Sequence, residues 1–179
     1  MNNIVEKLLL VTLLFLLSGC AATYRSDQLS NLTELQAISE IEQLNTRYLE
    51  MMDDLQNQLG NGTTAESMAE DLFLDKATVK VGEWKTFTAS EYTQWLADAY
   101  KPGFYVKHIS MNTLVEVSGN TATSTEHYLM LYSDSKSKNS GWLIGQFINT
   151  LEKNTHGQWQ YRSKSSTAED FKRWPSENP

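Results

Sequence analysis

Apolar and polar positions alternate most clearly between Phe104 and Tyr132. Val106, Ile109, Leu114, Val115 and Val117 lead up to Ser118-Gly119-Asn120, and a Thr-, Tyr- and Leu-rich run leaves it. A Gly-Asn step between two such runs has the chemistry of a hairpin turn, so the stretch predicts two long antiparallel strands. Upstream the apolar period changes from two to between three and four. Leu32, Leu35, Ile38, Ile41, Leu44, Tyr48, Met51, Met52, Leu55 and Leu59 form one stripe of a long helix; it starts at Asn31, with Glu34 at capping-box spacing, and stops at Gly60-Asn61-Gly62. Thr63 with Glu66 opens a second, shorter helix through Met68, Ala69, Leu72 and Phe73, and Ala77-Thr78-Val79-Lys80-Val81 reads as a strand. Thr88 with Glu91 caps a third helix that carries Tyr92, Trp95, Leu96 and Ala99 on one face and ends at Lys101-Pro102-Gly103, since proline cannot continue the ladder.

After the hairpin, residues 133–140 are a polar Ser/Lys-rich loop, residues 142–151 a third long strand, His156-Gly157 a turn and residues 158–166 a fourth strand. Helices first and a run of strands afterwards predict an α+β fold, with three N-terminal helices on a mostly antiparallel sheet. The domain is expected over residues 31–167, followed by a polar, poorly packed tail over residues 168–179.

Residues 1–19 read as a leader rather than as fold. Leu8–Leu17 is an apolar run of about ten residues, too short to span a bilayer, and it ends in Leu17-Ser18-Gly19-Cys20. That ending resembles a bacterial lipobox, in which small residues let a peptidase reach the bond before the cysteine. The resemblance implies lipidation of Cys20, a tether over residues 20–30 and a membrane anchor. Ala21 resembles the pattern sorted to the outer membrane, facing the periplasm. Cys20 is the single cysteine, so the mature chain has no disulfide and no Cys-rich metal site. A net charge of -7 without a Lys/Arg cluster argues against nucleic acid as a partner.

Two of the three histidines lie on the central hairpin. His108 is the first candidate for acid/base chemistry, because imidazole titrates near neutrality. Strand parity puts His108 and Asn112 on the side of Glu116, opposite Val115 and Val117, unless a bulge between Asn112 and Val115 switches the phase. A two-residue turn at Gly119-Asn120 sets His127 opposite Asn112; a three-residue loop sets it opposite Met111. Trp84, with Trp95, Trp142, Trp159, Tyr92, Tyr105 and Tyr128, supplies the aromatic lining that a cavity for a drug-sized apolar molecule needs. No His-x-x-x-His pair, Cys/His cluster, phosphate loop or nucleophile elbow occurs, so neither metal nor cofactor is expected.

The order helix, helix, strand, helix and then four long strands resembles the NTF2-like superfamily, in its SnoaL-like branch. The residues that carry the resemblance run from Ile41 to Arg162. They are Ile41, Leu44 and Tyr48 followed by Asp53; Leu72-Phe73 before Asp75 and Val79; His108 four residues ahead of Asn112; Val115, Val117, Gly119 and Ala122 around the turn; and Trp159 and Arg162 on the last strand. The resemblance implies a cone formed by a strongly curved sheet wrapped against helices, open to a small, largely apolar molecule. It places Tyr48 at the cavity wall and Asp53 near the mouth. The chemistry implied is cofactor-free proton transfer of the isomerase, hydratase or dehydratase type, with His108 and Asp53 as acid/base groups and Tyr48 and Asn112 orienting the ligand. His127, Phe147 and Asn149 complete the set of ligand-binding candidates. Phe147 and Asn149 stand where many relatives carry Tyr and Asp, a departure that favours binding over catalysis. The same fold hosts non-enzymatic interaction modules, which is the rival reading. Relatives often dimerise through the outer sheet face, and apolar residues on both faces of residues 142–151 fit a homodimer.

Overall fold

The computed structural model describes residues 31–83 and 85–174. The leader, Cys20 with its tether, and Trp84 all lie outside the described residues. The chain divides into two units, Met1–Ala37 and Ile38–Pro179. Residues 31–37 of the first are helical, and the second contains the sheet.

Within the second unit, helix α1 covers residues 38–53 and buries Ile41, Leu44, Tyr48, Met51 and Met52 of the stripe that the sequence period marked, together with Leu49, which it did not. The expected single helix is interrupted at Asp54 and resumes as α2, Leu55–Gly60. The Asp54 carboxylate accepts from Asn57 Nδ2 at 2.6 Å, a local bond that competes with regular helix geometry. Helix α3, Ala65–Leu72, is capped by Thr64 with Ser67 rather than by Thr63 with Glu66: the Ser67 amide donates to Thr64 Oγ1 and the Thr64 amide to Ser67 Oγ, both at 3.1 Å. Helix α4, Ala89–Ala99, has the capping box expected from sequence, with the Thr88 amide donating to Glu91 Oε2 at 2.8 Å. Among the described residues no helix is long and apolar enough to cross a membrane.

Six strands form one sheet among the described residues: β1 (Phe73–Val81), β2 (Lys85–Thr88), β3 (Phe104–Ser118), β4 (Thr121–Asp134), β5 (Asn139–Lys153) and β6 (Trp159–Arg173). Their order is β2-β1-β6-β5-β4-β3; β1 runs parallel to β6, and the other neighbours are antiparallel. The edge strands β2 and β3 do not pair, so the sheet stays open, and bulges in β3 and β6 let it curve. β2 went unread in the sequence because it is only four residues long, buries only Phe87 and abuts a helix cap. β6 runs past the expected domain end at residue 167. Its last residues keep their ladder with β5, Gly141 opposite Arg173, while Phe171 stays exposed.

The hairpin has the two-residue turn. Ser118 faces Thr121, Gly119 supplies a φ of 60°, and Asn112 faces His127. A bulge at Met111, between Ser110 and Asn112, switches the phase of β3. It lies just before the expected interval, Asn112 to Val115, so it brings His108 to the side of Val115 and Val117 but leaves Asn112 on the side of Glu116. On the N-terminal side of the bulge His108 is buried; beyond it Val115 and Val117 are half-buried while Asn112, Leu114 and Glu116 are exposed. The helix-facing side of the sheet then carries Tyr128, Glu126, Ser124 and Ala122 from β4, Phe147, Asn149 and Leu151 from β5, and Tyr161 and Lys164 from β6, all buried.

Candidate functional site

The last turn of α1 and the N-terminal half of β3 meet at Asp53 and His108, which are 55 residues apart in sequence. Asp53 Oδ1 lies 2.7 Å from His108 Nδ1 and also accepts from the His108 backbone N–H at 2.8 Å. Lys107 Nζ approaches Asp53 Oδ2 at 2.7 Å from the opposite, exposed side of the strand. The His108 side chain is only 1% exposed and that of Asp53 9%. Burial pushes the Asp53 carboxyl up, but the hydrogen bonds from the His108 ring, Lys107 and the His108 amide outweigh it and hold the pKa below the usual value. An ionised carboxylate only accepts, so Nδ1 carries a proton, and in the neutral ring the lone pair is on Nε2. This is the arrangement that fixes an imidazole as a general base at Nε2, with its tautomer and orientation set from behind.

Around the dyad the inner face is aromatic. His108 lies 5.7 Å from Tyr128, centroid to centroid; Tyr128 stacks on Phe147 at 4.2 Å and 15°; and Tyr48 meets Phe147 and Tyr161 edge-on at 5.6 and 5.8 Å. Gly145 makes room for this stack: a Cβ there would sit 2.6 Å from the Tyr128 hydroxyl oxygen and 2.5 Å from the Thr167 carbonyl. Burial, with Glu126 and Glu169 adding to it, pushes the Tyr128 phenol up to about 12, so it stays a neutral hydrogen-bonding group. The Tyr48 hydroxyl is 2.5 Å from that of Tyr92, and Tyr161 donates to Asn45 Oδ1 at 2.7 Å.

The predicted site residues thus divide. His108, Asp53, Tyr48, Phe147 and Asn149 all lie on the helix-facing side, and Asn149 is fully buried, donating to Ser124 Oγ at 2.9 Å. The phase switch at Met111 leaves Asn112 on the opposite face, where it is exposed, and His127, its ladder partner, alternates with the inward Glu126 and Tyr128 and lies on that face too. His127 Nε2 lies there 3.1 Å from Gln146 Nε2 and 3.6 Å from Glu169 Oε1, with Nδ1 buried and unpartnered. Neither reaches the dyad. Tyr105 is 69% exposed and Trp142, a ladder partner of Lys172, is on the same outer side, so the aromatic lining is narrower than expected. Among the described residues no group of three His, Cys, Asp or Glu is placed to hold a metal.

Two buried charged residues were missed. Glu126 is 1% and Lys164 2% exposed. Lys164 Nζ donates to Asn149 Oδ1 at 3.2 Å and sits over the rings of Tyr48, Phe147 and Tyr161 at 3.9, 4.0 and 4.5 Å. Burial pushes its amine down to about 7, against an opposing pull from Glu126. Glu126 was within reach of sequence reading, since Ala122, Ser124, Glu126 and Tyr128 share one parity. Lys164 was not, because a bulge between Tyr161 and Ser163 shifts its phase.

The fold and the inward-facing dyad define a helix-backed, open-sheet α+β domain. The chain matches the SnoaL-like domain model over residues 33–164 and belongs to that family, within the NTF2-like superfamily. Solved structures agree on the fold. The hexachlorocyclohexane dehydrochlorinase LinA-type3 from Novosphingobium barchaimii LL02 is 18% identical, with 81% of this chain and 94% of that one covered at a TM-score of 0.66. A protein proposed to be a scytalone dehydratase from Novosphingobium aromaticivorans DSM 12444 is 22% identical, covering 81% and 93% at 0.65. ActVI-ORFA from Streptomyces coelicolor is 15% identical, covering 75% and 98% at 0.59. No curated protein matches the chain.

Proposed function

We propose that this chain is an envelope lipoprotein whose SnoaL-like domain binds a small, largely apolar molecule and moves a proton on it without a cofactor. His108 is the base at Nε2, and Asp53 is the residue that orients it. The observation that carries the reading is the 2.7 Å contact from Asp53 to Nδ1 of a histidine whose side chain is 1% exposed. A histidine held only for packing needs no ionised carboxylate behind it. Two of the fold relatives are named for eliminations, a dehydrochlorinase and a proposed dehydratase, in which a base removes a proton as a neighbouring group departs. A lyase or isomerase reaction is therefore the expected class. Native mass spectrometry of the domain purified from its own envelope identifies the retained molecule. Incubating that molecule with the domain in D₂O then tests for deuterium uptake or elimination. Turnover that is unchanged in a folded His108→Gln variant would refute the assignment.

The second reading, a non-enzymatic interaction module, draws on the packing under Tyr48. Phe147, Tyr161 and Lys164 surround that ring, and two roomy grooves, of about 560 and 550 Å³, lie elsewhere, beside α3 and at the hairpin end. Self-association as a homodimer would use the outer sheet face, where Ile109, Leu129 and Ile144 stand in one row; a single-chain mass by light scattering counts against it. The anchor is tested separately, by labelled palmitate that a Cys20→Ser chain fails to incorporate.

A further inference from the structure

We propose that Lys164 is a second reactive centre: its amine condenses with small apolar aldehydes or ketones that enter between the helices and the sheet, forming an imine, with Glu126 carrying the proton. The inference shares with the proposed function only the need for that interior to admit a small molecule. It requires neither His108 nor proton transfer by the dyad.

Lys164 differs from the surface lysines in both partner and surroundings. Lys107 is two-thirds exposed and held by a carboxylate, which keeps it an ammonium. Lys164 has a neutral amide oxygen at 3.2 Å and three aromatic rings within 4.5 Å. Rings offset part of the cost of a buried ammonium, but desolvation prevails and leaves about half of the amine unprotonated at neutral pH. A desolvated lysine with a free lone pair is the nucleophile that carbonyl chemistry uses. Glu126 is the carboxylate that acts electrostatically on it, and Glu126 Oε2 is buried without a hydrogen-bond partner. Buried acid and amine groups of this kind are costly, and an apolar side chain of the same volume would serve the fold as well. Lys164 also lies along the same row of rings as the dyad: Nζ over Phe147, Phe147 stacked on Tyr128, Tyr128 against His108.

The step balances. The nitrogen lone pair attacks the carbonyl carbon, the C=O π pair moves to oxygen, and the proton lost from nitrogen passes through Glu126 to that oxygen. The nitrogen electron pair then closes the C=N bond as the hydroxyl departs, and the remaining N–H proton, passed through Glu126 in turn, leaves with it as water. One carbonyl compound and one amine give one imine and one water.

The test uses the wild-type chain with benzaldehyde and sodium cyanoborohydride at pH 7, followed by digestion and peptide mass mapping. Hydride from the reagent fixes any iminium as a benzylamine on the lysine that formed it. The expected result is modification at Lys164 at least about tenfold faster than at exposed lysines such as Lys107, a selectivity lost in denaturant. Modification spread over surface lysines with Lys164 untouched in the folded protein overturns the proposal. A Glu126→Gln variant, checked for fold by circular dichroism, should label Lys164 more slowly; an equal rate removes Glu126 from the step. His108→Gln should leave the labelling intact. Trapping at Lys164 without deuterium uptake defeats the dyad alone, and the reverse outcome defeats this inference alone.

Discussion

His108 and His127 belong to neighbouring strands of one hairpin, yet their surroundings are opposite in kind. One points toward the helices, its Nδ1 claimed by an ionised carboxylate; the other lies on the outer face beside Gln146 and a half-exposed glutamate, its own Nδ1 unpartnered. Residue type is identical, so the difference comes from one inserted residue in the β3 ladder and from what α1 brings up behind it. A histidine becomes a base through what orients it and what excludes water from it, more than through its presence in a suitable fold.

Deleting Met111 should disturb this contrast most. Without the extra residue, residues 104–110 return to regular parity and turn His108 outward, so we expect loss of the dyad, of activity, and of about 3 kcal/mol or more of stability by chemical denaturation. His108→Gln should next lower turnover by roughly 10²–10⁴-fold while the ligand seen by native mass spectrometry remains bound. Lys164→Met tests the other buried base. The folded-state pKa near 7 lies below the usual 10.5, so the unfolded chain binds more protons between those values and wild-type stability should rise with pH across that window, by up to about 5 kcal/mol. In the methionine variant that rise should vanish. Asp53→Asn should cost about tenfold or more in turnover, with the larger share in kcat. Because the folded pKa of Asp53 is depressed, its stabilisation is complete above the unfolded value of 3.8 and fades as pH falls through the folded one; the asparagine variant should lack that acid-limb loss. His127→Gln should be smallest, within about twofold in turnover and about 0.5 kcal/mol in stability. A large effect there would show that the outer face takes part in the chemistry.

Much of this contrast could be read in the sequence because it rests on local rules. The stripe through Ile41, Leu44 and Tyr48, the Thr88–Glu91 cap and the Gly119-Asn120 turn each depend on residues within one or two turns of one another. The turn narrowed the partner of His127 to Asn112 or Met111, and the structure has Asn112. What stayed hidden depends on irregularities and on contacts between distant parts of the chain. A bulge leaves no compositional mark, so the phase change could be required at His108 but not placed at Met111, and the bulge before Ser163 concealed Lys164 entirely. The resemblance put Asp53 and His108 forward separately, but no spacing rule links residues 55 apart. Their contact exists only because α1 packs across β3. Helix α3 moved its cap by one residue because Ser67 competes with Glu66 for the same role, a choice of a few tenths of a kcal/mol at most.

The position of β6 affects how the protein is made. The last strand of the chain is inserted between β1 and β5, and it is the one that runs parallel to β1. Until β6 has emerged, β1 has no neighbour on that side and Tyr161 and Lys164 are missing from the interior. A nascent chain therefore cannot complete its sheet before this strand is made, and a truncation that removes its fifteen residues should leave two unconnected fragments of sheet rather than a smaller version of the domain.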